Sequence, residues 1–348
     1  MEGHGAYNRS SRVQAAGSSP AIPLLEKAAR EVQLPLPPEP VVLVDYGSSE
    51  GRNSLGPVGA AIRVLRDRIG SARAVSVVHT DLPGNDFTAL FQILASDPDS
   101  YLEADPAVFP CAVGRSFYGQ ILPSSSVTLG WSSWAVQWLS RVPGLIPDQV
   151  QVAYSQDAAA RAAFYEQAAE DWRSFLVHRA AELRPGGRLV VLSMARDDHG
   201  DFGYRPAVAA IYGALLDLVD DGFVSEEEAR RMVIPTVGRS RQDFMAPFVG
   251  SGSFEGLTLE EIDVFYGEDR IWIEFQSHHD AARYSARWAA FSRASVCPTL
   301  AASLNDKEVR AAEFIDRMEA RMIARLQVAP EPMLIPLAKM VLVKGSLE

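Results

Sequence analysis

Residues 41–53 read V-V-L-V-D-Y-G-S-S-E-G-R-N, and no other stretch restricts the fold as tightly. Four apolar residues without polar alternation suit a strand buried on both faces, as in the middle of a parallel sheet. Gly47 and Gly51 allow a tight turn and close approach of backbone to a ligand. Beyond the turn, Leu55, Val58, Ile62, Leu65 and Ile69 recur at helical spacing. Strand, small-residue loop and helix form the first unit of a nucleotide-type site in an α/β sheet. A glycine-rich turn by itself does not name a ligand.

The chain continues in the same alternation. A-V-S-V-V-H at 74–79 reads as a second buried strand, running into T-D-L-P-G-N-D-F at 80–87. An acid at the tip of that strand, here Asp81, is the usual partner of ribose hydroxyls. A helix follows through Phe87, Leu90, Phe91 and Leu94, and residues 98–115 carry prolines, acids and the run V-F-P-C-A-V. V-T-L-G at 127–130 looks like a short strand. After it, residues 131–143 hold Trp131, Trp134 and Trp138. These tryptophans fit either a strand end leading into a helix inside the core or the wall of a ligand pocket. Residues 158–183 read as a long helix closed by R-P-G-G, and R-L-V-V-L-S at 188–193 as a strand.

From Arg196 to about Gly256 helical patterns run without clear strands, as in an inserted domain. Residues 259–266 and 270–276 alternate like strands, 278–291 and 307–326 like helices, and K-M-V-L-V-K at 339–344 is a closing strand. The expected division is a core of 1–195, 257–277 and 336–348, with a largely helical region of 196–256 and 278–335.

With 33 Lys and Arg against 44 Asp and Glu, the formal charge is −11. That argues against a nucleic-acid partner and against an anionic membrane surface. No apolar run reaches the length of a bilayer span, and the start M-E-G-H-G-A-Y-N lacks the features of a signal peptide. Cys111 and Cys297 have no metal-ligand spacing, so a cytoplasmic protein with reduced thiols is expected.

Taken in order, these stretches resemble the SABATH family of S-adenosylmethionine-dependent methyltransferases. Its members methylate carboxyl groups of salicylate, benzoate and jasmonate, and ring nitrogens in caffeine synthesis. D-Y-G-S-S-E-G-R-N at 45–53 is similar to the family's D-L-G-C-S-S-G-P-N loop, and D-L-P-G-N-D-F at 81–87 to its most distinctive string. S-F-Y-G at 116–119 and S-S-W-A-V-Q-W-L-S-R-V-P at 132–143 continue the match, and Tyr7, Ser11 and Gln14 look like its opening residues. The alanine- and arginine-rich composition suggests a bacterial member.

The resemblance implies a Rossmann-like class I methyltransferase: a seven-stranded, mostly parallel α/β sheet with helices on both faces, the last strand antiparallel, and a helical cap. Many relatives are homodimers. It implies S-adenosyl-L-methionine as cofactor. Tyr7, Ser48 and Asn53 would meet its methionine portion, with Ser11, Asp45 and Gly47 in the same cofactor set. Asp81 would hold the ribose diol, Leu82 would flank the adenine, and Ser116 and Phe117 would complete the adenine slot. Gln14 and Trp138 would offer N–H donors to a small-molecule acceptor, with Trp134 and Gln137 shaping its pocket. The segment before residue 15 would then fold across the site.

A carboxylate acceptor with a pKa of about 4 is ionised at neutral pH and needs no general base. A hydroxyl on a sugar or phenol would gain from one. His278 and His279, beside Asp280, form the local cluster that could supply it, although the pattern fits better a solvated helix start with Asp280 in its first turn. A non-catalytic cofactor-binding protein is the third reading. Two departures stand out. Glu50 and Arg52 replace small residues and proline in the glycine loop; a carboxylate there could sense the cofactor's charge, but an exposed Glu50–Arg52 pair is the favoured expectation. Some relatives hold magnesium through residues just before an Ile-Pro. Here Arg230, Arg231, Met232 and Val233 precede Ile234-Pro235, so no such metal site is expected.

Overall fold

The computed structural model describes residues 19–345. After helix α1 (Ile22–Glu31), strand β1 (Val41–Tyr46) enters the centre of the molecule, followed by α2 (Arg52–Ile69), β2 (Val75–Asp81), α3 (Phe87–Ser96) and α4 (Tyr101–Ala104). Next come β3 (Val108–Gly114), β4 (Val127–Ser133), α5 (Ala158–Glu182) and β5 (Leu183–Met194). Helices α6 (Arg205–Asp220), α7 (Glu226–Arg231) and α8 (Arg241–Met245) lead to β6 (Ser253–Phe254) and β7 (Leu257–Tyr266). The chain closes with α9 (Arg270–His278), α10 (Ala281–Ser295), α11 (Cys297–Ala301), α12 (Lys307–Val328) and β8 (Pro336–Lys344).

The strands form one sheet in the order β3-β2-β1-β4-β5-β8-β7-β6. Strands β1 to β5 pair parallel, and β8 lies antiparallel between β5 and β7. Side chains of a strand alternate between faces, and β1 divides accordingly. Val41 and Leu43 join one core with α1, α2, α6, α10 and α12, while Val44 and Tyr46 join a second with Trp172, Phe175 and Leu176 of α5. Both faces are therefore covered, which is why the strand reads as an unbroken apolar run. Among the described residues no helix is long and apolar enough to cross a membrane.

The sheet has eight strands, where seven are expected. The additional one is β6, only two residues long. Glu255 (φ 53°) and Gly256 (φ 76°) both take the left-handed conformation, so the chain reverses in a tight hairpin and pairs Ser253 with Thr258. Residues 270–276 are a helix and not a strand. The Asp269 carboxylate accepts the Trp272 N–H at 2.9 Å and starts α9, and Trp272 and Phe275 meet three residues apart with ring centroids 5.1 Å apart. The run V-F-P-C-A-V, assigned to no element from sequence, is β3. It lies at the sheet edge and pairs only with β2, where the missing N–H of Pro110 is tolerated.

Candidate active site

The sheet order reverses between β1 and β4, whose following connections depart to opposite sides. Such a point opens a crevice at the carboxyl ends of the strands. A cavity of about 440 Å³ lies there. Gly47 after β1, Asp81 at the end of β2, Ser133 at the end of β4 and Met194 at the end of β5 all line it.

The glycine loop is bound to the tip of β2. The Gly47 and Ser48 N–H groups both donate to the Thr80 carbonyl at 2.9 Å. Asp81 accepts the Ser49 N–H on one carboxylate oxygen and the Leu82 N–H on the other, each at 2.7 Å, and the Asn85 side-chain amide donates to the Ser49 carbonyl at 2.7 Å. Burial pushes the Asp81 carboxyl above its ordinary pKa despite these two donors. Gly47 has φ 91°, and a Cβ there would sit 2.4 Å from the Ala135 Cβ, so only glycine fits between the two walls.

Leu82, Ser116 and Phe117 line the cavity on one side of Asp81. The loop bearing Phe117 is fixed from beneath by α5, where Arg179 donates to the Phe117 carbonyl at 2.7 Å and to the Gly119 carbonyl at 2.9 Å. Glu182 pairs with Arg179 at 2.8 Å and accepts the Tyr46 hydroxyl at 2.7 Å.

On the other side, Trp134, Gln137 and Trp138 line the cavity. Residues 134–140 form a loop, so no helix starts at the tryptophans; Trp131 is core and the other two are wall. Trp134 has φ 56°, and among the described residues its buried indole N–H has no hydrogen-bond partner. The Gln137 amide donates to the Trp134 carbonyl at 2.6 Å, and its oxygen accepts from the Ser193 hydroxyl at 3.2 Å. A donor placed in this way serves its own loop first. Beyond lies an apolar chamber walled by Phe202, Ile211, Ile234, Phe291 and Val296.

Some expected site residues sit elsewhere. Asp45 is 2% exposed and does not line the cavity; one oxygen accepts from the Ser54 hydroxyl at 2.5 Å and lies 3.1 Å from His79 Nδ1. Ser48 is buried with its hydroxyl 3.4 Å from the Thr80 carbonyl, and Asn53 is half-buried in the first turn of α2. Tyr7, Ser11 and Gln14 fall outside the described residues. Glu50 is buried, not exposed, and the Arg52 guanidinium pairs with Asp97, so the expected surface pair is not what holds this loop. His278 and His279, the candidate bases, lie at the exposed junction of α9 and α10, away from the cavity. Asp280 caps α10 by accepting the Arg283 N–H at 2.9 Å. Among the described residues no group of three or more His, Cys, Asp or Glu could hold a metal ion.

Sequence reasoning missed Arg179, Asp171 and Arg239, the buried polar residues that hold the cavity loops. A signal existed for the first two. Asp171 and Arg179 fall on the same helical face as the apolar Trp172, Phe175 and Leu176, where an unpaired charge would be costly.

Comparison with known proteins settles the family. Residues 2–339 match the model of SAM dependent carboxyl methyltransferases. The chain belongs to that family. It is 30% identical over 273 residues to a benzoic acid/salicylic acid carboxyl methyltransferase of Petunia hybrida, covering 74% of this chain and 76% of that one. It is 28% identical over 294 residues to indole-3-acetate O-methyltransferase 1 of Arabidopsis thaliana, covering 76% and 75%. A methyltransferase of a Fusarium species is 31% identical over 248 residues, and there the match takes in 70% of this chain and 64% of the relative, just under two thirds of its length. Among solved structures, loganic acid methyltransferase with SAH superposes with a TM-score of 0.80 at 20% identity over 99% of this chain and 98% of that one. The chain has the same α/β fold.

Proposed function

We propose that this carboxyl methyltransferase moves a methyl group from S-adenosylmethionine to the carboxylate of a small organic acid. One observation carries the choice of acceptor: among the described residues lining the cavity there is no histidine, and Asp81 is the sole carboxylate. A hydroxyl acceptor would gain from a base beside it, whereas an ionised acid needs none.

The residues fit the cofactor. Asp81 offers two carboxylate oxygens to a ribose diol, Leu82, Ser116 and Phe117 line the same cavity as candidates to flank the adenine, and the Gly47 turn, without a Cβ, allows close approach of a chain. Bound there, S-adenosylmethionine supplies an electrophilic methyl carbon on a good leaving group. The chain's own part is alignment: nucleophile and carbon must be held about 3–3.5 Å apart in line. In this reading Trp138 and Gln14 direct N–H groups to the acceptor carboxylate, and Trp134 and Gln137 set the wall behind it. Asp45, Ser48 and Asn53 shape the loop under the methionine portion, with Tyr7 and Ser11 completing that end. The core segments hold the cofactor, while 196–256 and 278–335 close over the acceptor, and two copies associate as a cytoplasmic homodimer.

The test is transfer of labelled methyl from the cofactor to a panel of aromatic, aliphatic and terpenoid acids, with phenols and sugars alongside. Base-labile methyl esters formed from acids alone are expected. Label found only on hydroxyl compounds would overturn the reading.

A further inference from the structure

Arg239 is the feature left unused by that chemistry. It is 2% exposed, and burial lowers its pKa from the usual guanidinium value. Burying a guanidinium is costly unless its donors are used, a cost that an apolar side chain would avoid. Here each of its three nitrogens donates to a backbone carbonyl. Nε and one terminal nitrogen donate to the Ala168 carbonyl of α5 at 3.0 and 2.7 Å, and the other terminal nitrogen donates to the Val136 carbonyl at 2.6 Å.

Val136 lies in the middle of the tryptophan loop, and Arg239 follows the segment that pairs with this loop along the cavity wall. Ile234, Pro235 and Thr236 line the cavity. The Leu139 N–H donates to the Pro235 carbonyl at 2.8 Å and the Val237 N–H to the Gln137 carbonyl at 2.9 Å, while Trp138 and Thr236 pair as an antiparallel bridge. Asp171 takes the other end of the loop, accepting the Ser140 N–H at 2.8 Å and its hydroxyl at 2.6 Å. Tyr118, from the adenine side, donates to the Trp138 carbonyl at 2.5 Å and to the Val136 carbonyl at 3.3 Å. Two separate stretches of chain, those carrying Arg239 and Tyr118, therefore converge on the carbonyls either side of Gln137.

We infer that Arg239 is a positioning residue for the acceptor: it ties residues 136–138 and 234–236 to α5, so that Trp134, Gln137 and Trp138 keep one geometry as the chamber fills. The inference rests on the acceptor chamber proposed above. Arg239 makes no hydrogen bond to the glycine loop or to Asp81, and reaches the cofactor side only through the Val136 carbonyl it shares with Tyr118, so its larger effect falls on the acceptor side.

The experiment compares the unaltered chain with Arg239→Met and Arg239→Lys, all loaded with S-adenosylhomocysteine. Amide hydrogen exchange of residues 134–140 rises about tenfold or more in Arg239→Met, while the dissociation constant of S-adenosylhomocysteine stays within about twofold. With an acid taken up in the panel above, KM for that acid rises about tenfold and kcat falls less, since a wall shifted by about 1 Å costs on the order of 10²-fold in kcat/KM. Lysine, able to reach one carbonyl, recovers part of both effects. Unchanged exchange in 134–140 overturns the inference, as does a parallel loss of S-adenosylhomocysteine affinity and acceptor KM that tracks a lowered thermal transition. If Arg239→Met does not fold, Arg239→Lys against the unaltered chain carries the same two readings. Absence of any acid turnover by the unaltered chain would count against the carboxylate reading alone, because the exchange and S-adenosylhomocysteine measurements need no acceptor.

Discussion

Asp45 Oδ2 lies 3.1 Å from His79 Nδ1 inside the sheet, with His79 Nε2 a further 2.8 Å from the Tyr101 hydroxyl. Both ring nitrogens are thereby engaged, Nδ1 with the carboxylate and Nε2 with the phenol. Ser54 takes the same Asp45 oxygen. The acid that the glycine loop displays in sequence thus acts beneath the loop, as the fixed end of a buried chain from β1 to α4. Replacing His79 by Ala strands the Asp45 carboxylate and the Tyr101 hydroxyl and opens a void. A loss of about 2–4 kcal/mol in urea unfolding is expected. An unfolding midpoint equal to that of the unaltered chain would show the chain to be ornamental.

If Asp81 holds the ribose diol as proposed, it governs the pH dependence of cofactor binding. Its folded-state pKa lies above the ordinary carboxylate value, chiefly through burial. A ribose diol donates two hydroxyls to an ionised carboxylate, so affinity for S-adenosylhomocysteine is full above that raised pKa and falls as pH drops through it. For stability the sign is opposite. A raised carboxyl pKa favours the folded chain while the proton is held, and that contribution is lost as pH rises through the folded value. Titration calorimetry across the acid range reads the first effect. Asp81→Ala should weaken binding about 10–100-fold at neutral pH and flatten the pH profile; a profile that persists in the variant assigns it to another group.

Gly47→Ala probes the tightest contact at the crevice. The left-handed φ costs an alanine about 1–2 kcal/mol, and the 2.4 Å approach to Ala135 forces β1 and the tryptophan loop apart. Both stability and S-adenosylhomocysteine affinity are expected to fall, the first by at least about 2 kcal/mol in chemical denaturation. Retained affinity would mean that the turn can open without disturbing the cofactor wall.

How much of this was legible follows from range. The unbroken apolar run of β1, the acid closing β2 and the helical spacing of α2 are local signals, and each of those elements is present. The strand misread at 270–276 failed because alternation and helical spacing coincide over a few residues, and the deciding Asp269 cap is a hydrogen-bond event. Gly47, Asp81, Leu82, Ser116, Phe117, Trp134, Gln137 and Trp138 were named from sequence and meet at one cavity. Arg239 was not, because its partners Ala168 and Val136 are carbonyls 71 and 103 residues away. No pattern in the sequence encodes a bond to a backbone oxygen at that distance.

His278 and His279 lie outside the cavity wall. Replacing both by Ala should leave kcat and KM unchanged on any acceptor, measured by label transfer from the cofactor. A loss confined to kcat, with its pH profile altered near the ordinary imidazole range, would bring them back into the mechanism.

Trp134 offers the sharpest distinction between core and site. Its indole N–H is buried and, among the described residues, has no hydrogen-bond partner. An unsatisfied buried donor costs about 1–3 kcal/mol, so a residue kept only for packing would be better served by phenylalanine. Trp134→Phe removes the donor and part of the ring, two changes of opposite sign, and the unfolding free energy should shift by less than about 1 kcal/mol. If the N–H serves an oxygen of the acceptor, KM for that acid rises about tenfold, the worth of one hydrogen bond to a charged group, and S-adenosylhomocysteine affinity does not move. An indole N–H only donates, so acids with an additional acceptor oxygen should feel the change more than their hydrocarbon analogues. A variant less stable by about 3 kcal/mol with KM unaltered would return Trp134 to the core.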